Sequence, residues 1–499
     1  MVSAMQPFDW MVIAAYAIVV IVIGLRAGRG RQSAEDYFLG GRKIPWWAAL
    51  CSMVATELSA ATFIGTPQKG FGGDWTYLQY AIGSLLARVV LATWFISLYY
   101  RLRLVTVYGL LGQRFGRTSE LTSAWLFLGG RLIASGSRLF IAGLAFATVT
   151  GTSIEVAILI AGGLAMAYTL VGGIRAVIWT DTLQGAVFIV SAIVAIVVAV
   201  RLAPEDAGGI WSAAVDADKT TVIREFFGQG TSLFAAIVGG FFLTMATHGT
   251  DQDMVQRLLT TSNSRRGGLA LVLSGVANFP VVILFLFLGT AMWAYYRSWS
   301  GTYDIGETEK IFPLFVLKEV PTGLRGLIFA GLFAAAMSSM DSALNSLATT
   351  WVVNIRGRVG EGQEGEDAAR VATTQRATLG FGALLVAAGL GLVFYKRAVE
   401  GAGGQQLDLI DLALSSMSIF YGGLLGGFVV ALLTPHRGTD LSVTIGMAAG
   451  GVLGVLLFLH PTPLMFGETY VPWVYWILSS ATVAFVIGAS VPKPEALRD

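Results

Sequence analysis

The chain has 499 residues, 55% of them hydrophobic and only 13% charged, with a formal net charge of +2 and a mean hydropathy of +0.69. Soluble chains carry about 25% charged residues, and here apolar runs of about 20 residues, the length that spans a bilayer, recur along almost the whole sequence. The composition therefore points to a polytopic all-α integral membrane protein. It excludes the basic footprint of a nucleic-acid binder, a disulfide framework or Cys-based metal site (Cys51 is the single cysteine), and an ATP-driven engine, since no Walker A loop is present.

Polar interruptions divide the sequence into about thirteen spans, near 8–26, 46–68, 76–100, 119–150, 153–172, 177–202, 231–258, 267–297, 323–353, 376–395, 409–433, 440–460 and 472–491. The first is as long as a full span and lacks a small-residue cleavage site, so it reads as a retained helix rather than a signal peptide. The 61 glycines suit close helix packing in lipid. Arginines concentrate in alternate loops: Arg26, Arg29, Arg31 and Arg42 after the first span, then Arg101, Arg103, Arg114 and Arg117, then Arg257, Arg265 and Arg266, then Arg356, Arg358, Arg370 and Arg376. The 203–230 connection instead carries Glu205, Asp206, Asp216, Asp218 and Glu225. The positive-inside rule then predicts a plasma-membrane protein with the N-terminus outside and the C-terminus cytoplasmic. The acidic, glycine-rich stretch 360–367 reads as a solvated loop. The histidines His248, His436 and His460 show no metal-ligand spacing.

Ionisable groups inside spans are costly and mark pathways, and they fall into four clusters. In the second span, Glu57 sits mid-membrane in Ala55-Thr56-Glu57-Leu58-Ser59-Ala60-Ala61-Thr62. Small and hydroxylated residues are what a locally broken helix needs, because its freed carbonyls must find an ion, water or hydroxyl; an intact helix with Glu57 bonded to a neighbour is the plainer alternative. In the sixth span, Asp181 lies in the first turns, where it complements either the helix dipole or a cation site. The seventh span carries Thr247-His248-Gly249-Thr250-Asp251-Gln252-Asp253, which reads as a second broken helix. There Asp253 and Arg257 form an i, i+4 pair, and His248 also fits an ordinary satisfied core position. In the ninth span, Ala335, Ser338, Ser339 and Ser342 share one helix face, with Asp341 close to it. Arg131 and Arg138 lie seven apart on one face of the fourth span, placed to pair with a solute carboxylate or with Glu57. Arg88 completes the inventory.

Two broken helices at corresponding positions of two five-helix halves are the pattern of an inverted-repeat carrier. With the span near 46–68 counted as core helix 1, the carrying motifs are Asp36-Tyr37-Phe38-Leu39-Gly40-Gly41-Arg42, Pro45-Trp46-Trp47, Gly172-Gly173-Ile174 through Trp179-Thr180-Asp181, Gln252 through Gln256-Arg257, and Ala335 through Ser346. On these the chain resembles the sodium:solute symporter family, which includes sodium–glucose, sodium–proline and sodium–sialate symporters. The resemblance implies a LeuT-type fold of 5+5 inverted repeats with one extra helix before and two after. It divides the chain into 1–45, an extra helix and loop; 46–202, the first repeat; 203–433, the second repeat; and 434–499, two final helices and a tail.

The resemblance also implies a site. One sodium would lie among the carbonyls of Ala55, Leu58 and Ala335 and the hydroxyls of Ser338 and Ser339. Members with a second cation place it near positions matching Asp181, Ser338 and Ser342. The residue before Ser342 is here Asp341 rather than a hydroxyl, so the stoichiometry stays open between a second sodium and a proton. The solute pocket would be lined by Glu57, Ser59, Thr62, Gln79, Arg131 or Arg138, His248 and Gln252. Sugar-transporting members carry an Asn–Gln pair at the positions of Glu57 and Thr62 and aromatics at those of Thr247 and His248, all absent here. An acid at Glu57 resembles the proline branch, and an arginine on core helix 3 resembles the sialate branch. The implied activity is sodium-coupled import of a small polar solute, zwitterionic or carboxylated, by alternating access. The alternatives are a proton-coupled carrier of the same fold and a sodium–sugar symporter. Na+ is the coupling ion, the solute and the bilayer are the partners, and no obligatory protein partner or enzymatic nucleophile–base pair is evident.

Overall fold

The computed structural model describes residues 5–27, 34–169, 173–203, 207–228, 232–297, 310–357, 364–401, 409–459 and 471–493. Of the positions singled out above, Arg29, Arg31, Gly172, Glu205, Asp206, Arg358, His460 and the stretch 360–363 lie outside them. The long helices are α1 (Pro7–Ala27), α2 (Trp46–Glu57), α3 (Ala60–Gly72), α4 (Thr76–Arg101), α5 (Arg117–Thr150), α6 (Ile154–Thr169), α7 (Gly173–Leu202), α8 (Leu233–Gly249), α9 (Gln252–Leu259), α10 (Ser264–Arg297), α11 (Leu324–Ile355), α12 (Glu364–Gly401), α13 (Leu409–Leu433), α14 (Asp440–Leu459) and α15 (Trp473–Gly488). Among the described residues nine helices are long and apolar enough to cross a membrane, or eleven when the bent pairs α2–α3 and α8–α9 each count as one span. Two more, Ile154–Gly163 within α6 and α15, are apolar but shorter, and thirteen is reached only by counting them.

Both breaks fall where small and hydroxylated residues cluster. At the first, Leu58 (φ −75°, ψ 75°) and Ser59 (ψ 173°) leave the helical region, and α2 and α3 meet at 59°. The Ser59 N–H, which an unbroken helix would aim at the Ala55 carbonyl, donates instead to the Glu57 carbonyl at 2.9 Å. At the second, Asp251 turns extended (φ −85°, ψ 121°) and caps α9 by accepting from the Asp253 N–H at 2.8 Å; α8 and α9 meet at 61°. Each bent pair is followed by four more helices, α4–α7 after the first and α10–α13 after the second, with the short α6 counted.

Glycine lets the helices around these breaks touch backbone to backbone. A Cβ on Gly289 of α10 would lie 2.2 Å from the Pro67 carbonyl oxygen, and one on Gly70 of α3 would lie 2.3 Å from that of Leu286. Gly83 of α4 and Gly240 of α8 meet the carbonyls of Ile237 and Tyr80 in the same way. α7 packs along α11, burying Asp181 and Asp341 between them. α1 shows apolar side chains such as Met11 and Ile18 on its open face, as a lipid-facing helix does.

Candidate functional site

A cavity of about 150 Å³ lies at the level of both breaks. Its walls include Glu57, Ser59 and Thr62 from the first break, Arg131 and Arg138 from α5, and His248 from α8, as the sequence leads one to expect. Gln79 and Gln252 are not among the walls. Gln252 instead spends its amide on a connecting segment, donating from Nε2 to the Val105 carbonyl (3.0 Å) and accepting at Oε1 from the Val107 N–H (3.0 Å). Sequence reasoning missed Arg88 as a wall residue, together with Tyr77, Tyr80, Ser84, Thr244, Asp251 and Asn278. An intramembrane asparagine was a readable signal. The tyrosines were not, because aromatics are common in any span.

The cavity's three arginines have different fates. Arg88 grips Glu57 as a two-pronged fork, Nη1 to Oε1 at 3.0 Å and Nη2 to Oε2 at 2.6 Å, and also donates to Ser274 Oγ at 2.5 Å. His248 Nε2 lies 3.2 Å from the same Glu57 Oε1, with Nδ1 2.9 Å from Thr247 Oγ1. His248 is thus both a satisfied histidine and a cavity wall. Arg131 does not reach Glu57: it pairs with Asp251 (3.0 Å) and with Asp253, and Tyr421 donates to Asp251 at 2.5 Å. Arg138 has no carboxylate partner among the described residues. Its Nη2 is 3.5 Å from the Met417 sulfur, and its buried Nη1 has no hydrogen-bond partner. An unpaired guanidinium out of water is costly, and a carboxylate is the ligand that matches its fork.

Behind the cavity, the first break meets α11. The Ser338 hydroxyl donates to the carbonyls of Ala55 and Ala335, both at 3.3 Å, and the Ser339 hydroxyl to that of Ala335 at 3.1 Å. Leu58 is buried just past the end of α2. The Ala55 carbonyl is the one deprived of its helical donor, so carbonyl and hydroxyl oxygens from two helices converge, a hard donor set that suits a small cation.

A second cluster lies next to it. Asp181 is two turns inside α7, past the reach of the helix dipole, and is fully buried. Its Oδ2 accepts from Ser52 Oγ (2.6 Å), Thr56 Oγ1 (3.4 Å) and Arg257 Nη2 (3.2 Å), while its Oδ1 has no hydrogen-bond partner. Asp341 Oδ1 accepts from the Ser342 N–H (2.7 Å) and lies 3.3 Å from its hydroxyl. Arg257 bonds Asp181 directly and also donates to Ser342 Oγ, so it approaches Asp341 only by way of the Ser342 hydroxyl. The expected Asp253–Arg257 pair is present at 2.6 Å, but Arg257 does far more than staple one helix end. Neither its reach nor the part played by Ser52 was readable from spacing along the chain.

Comparison with known proteins gives the family and the fold. The sequence profile of the sodium:solute symporter family matches residues 37–392. The sodium/sialic acid symporter NanT of Aliivibrio fischeri is 30% identical over 448 residues, covering 88% of this chain and 86% of that one. The sodium/sialic acid symporter SiaT of Proteus mirabilis is 30% identical over 358 residues, covering 70% of this chain and 71% of that one. In fold, the chain superposes on a substrate-bound, outward-open Na+-coupled sialic acid symporter with a TM-score of 0.84 at 22% identity, covering 98% of this chain and 99% of that one. The architecture is therefore LeuT-type, and the chain belongs to the sodium:solute symporter family: a multi-pass membrane transporter, not an enzyme, that couples movement of a small solute to Na+.

Proposed function

We propose that this protein imports a carboxylated, hydroxyl-rich monoanion of the sugar-acid class with sodium, by alternating access across the plasma membrane. The observation that carries this is the charge balance of the cavity. Glu57 is already bound by Arg88 and His248, and Arg131 by Asp251 and Asp253, so neither offers an unpaired charge. Arg138 alone among the described cavity residues lacks a counter-ion. A zwitterion would bring an ammonium with no free carboxylate to meet it, whereas a monoanion supplies what Arg138 lacks. Ser59, Thr62, Thr247 and Asn278 provide donors and acceptors for hydroxyl or amide groups. The two relatives named for sialic acid, a carboxylated sugar, support the same class.

In this reading sodium sits among Ala55, Leu58, Ala335, Ser338 and Ser339 and ties the first break to α11 before the solute binds. The repeats 46–202 and 203–433 then rock about the site. The arginine-rich loops face the cytoplasm, where the resting potential contributes about 2.3 kcal/mol per charge per 100 mV.

The test is thermal stabilisation of the purified protein, with and without sodium, against sugar acids, simple carboxylates, neutral sugars and amino acids. A sugar acid should stabilise wild type only when sodium is present, by the mass-action shift of a bound ligand, and Arg138→Gln should lose that response while keeping the sodium response. Stabilisation by amino acids or neutral sugars that survives in Arg138→Gln overturns the substrate class. Stabilisation that ignores sodium and follows pH overturns the coupling ion.

A further inference from the structure

Arg257 belongs to α9, the inner half of the second broken helix, yet its guanidinium lies in the cluster between α7 and α11. Its five N–H donors are all accounted for. Nε donates to Ser52 Oγ at 2.9 Å. Nη1 donates to Oδ1 of Asp253 (2.6 Å) and to its carbonyl. Nη2 donates to Asp181 Oδ2 (3.2 Å) and to Ser342 Oγ. Arg257 is fully buried, and so is Asp181. The last two acceptors, Asp181 and Ser342, are the oxygens that a second cation at this position would need.

We propose that Arg257 is a tethered cation: while α9 is docked it fills the Asp181–Ser342 position itself, so that a second sodium there and a docked α9 exclude one another. A guanidinium and a sodium ion cannot share Asp181 Oδ2 and Ser342 Oγ in so deeply buried a site, because like charges at contact distance repel strongly at low dielectric. Asp181 keeps one oxygen, Oδ1, without a hydrogen-bond partner. Removing the guanidinium therefore leaves a buried carboxylate beside the Ser342 hydroxyl and the Ser338 carbonyl, to which that hydroxyl donates at 2.5 Å. These are hard oxygens able to hold a small cation. The docked state then binds a single sodium, at the α2–α11 junction. Departure of α9 carries away the charge that occupied the neighbouring position, which links the inner gate to cation stoichiometry. Arg257 is a positioning residue here: it touches neither the solute cavity nor the first sodium's ligands except through Ser342. The inference rests on the sodium reading of α11 but not on the identity of the solute.

The experiment counts radiosodium bound at saturation by purified wild type, Asp181→Asn, Arg257→Gln, Arg257→Lys and the double variant Asp181→Asn/Arg257→Gln. The expected result is that Arg257→Gln binds one more sodium than wild type and shows a steeper sodium dependence of thermal stabilisation. Arg257→Lys, which keeps the tethered charge, and the double variant, which removes the carboxylate it would expose, should both match wild type. Equal counts in wild type and Arg257→Gln, or a wild type whose count falls in Asp181→Asn, overturn the proposal. The double variant, neutral on both sides, guards against misfolding of a single one. Ser338→Ala/Ser339→Ala measured alongside separates the two readings: retention of the wild-type sodium count there refutes the first sodium site, while the difference between Arg257→Gln and wild type still decides the tethered cation.

Discussion

At the scale of single residues, polar groups inside the bilayer are explained by what each one faces. The Arg88–Glu57 fork is a buried ion pair, and removing one partner of such a pair costs about 3–5 kcal/mol because the other charge is stranded. Arg88→Met should therefore lower the melting temperature markedly, and Arg88→Met/Glu57→Gln should recover much of the loss. A double variant no more stable than Arg88→Met would show that the pair is not the source. The hydroxyls of Ser338 and Ser339 spend themselves on the carbonyls of Ala55 and Ala335, so replacing both by alanine should leave the fold intact and abolish sodium-stimulated thermal stabilisation; full retention of the sodium response would refute the assignment. Glu57, Asp181 and Asp341 were conspicuous in the sequence because a carboxylate in an apolar run is expensive. Their partners were not, since Arg88 and Glu57 are 31 positions apart and Asp181 and Arg257 are 76 apart.

At the scale of elements, both helix breaks were legible, because Thr-Glu-Leu-Ser and Thr-His-Gly-Thr-Asp-Gln are polar, small and flanked by spans. What the breaks accomplish depends on neighbours lying against them. α3 and α10 approach backbone to backbone through Gly70 and Gly289. Gly289→Ala should destabilise the protein by about 1–3 kcal/mol, since a Cβ there has no side chain to push aside, only backbone atoms of Pro67, Gly70 and Phe71. Gly380→Ala, on α12 with nothing within 4 Å, should change stability by about 0.5 kcal/mol or less. Thermal melts of the two variants decide it, and an undisturbed Gly289→Ala would mean the helices can part without penalty. The reach of the second break into the Asp181–Ser342 cluster follows from α9 packing against α11, a contact that periodicity along α9 does not encode.

At the scale of the whole molecule, the membrane fixes which side each loop faces. In a Cys51→Ala background, Phe227→Cys, whose native side chain is 77% exposed on the acidic connection, should react with an impermeant maleimide on intact cells. Arg356→Cys should react only after permeabilisation. The reverse pattern would invert the orientation.

Composition and the spacing of apolar runs by themselves determined that the chain is helical and membrane-spanning, and roughly where each span lies. They determined it because the bilayer imposes one length and one polarity on every segment. Clustered polar residues likewise marked two broken helices and the serine face of α11, since unsatisfied backbone is intolerable in lipid. Tertiary structure alone decided which arginine answers which carboxylate: Arg88 takes Glu57, Arg131 takes Asp251 and Asp253, Arg257 takes Asp181, and Arg138 meets none among the described residues. A pairing of buried charges is set by distances of a few ångströms between helices remote in sequence, and no local pattern along a single helix carries that information.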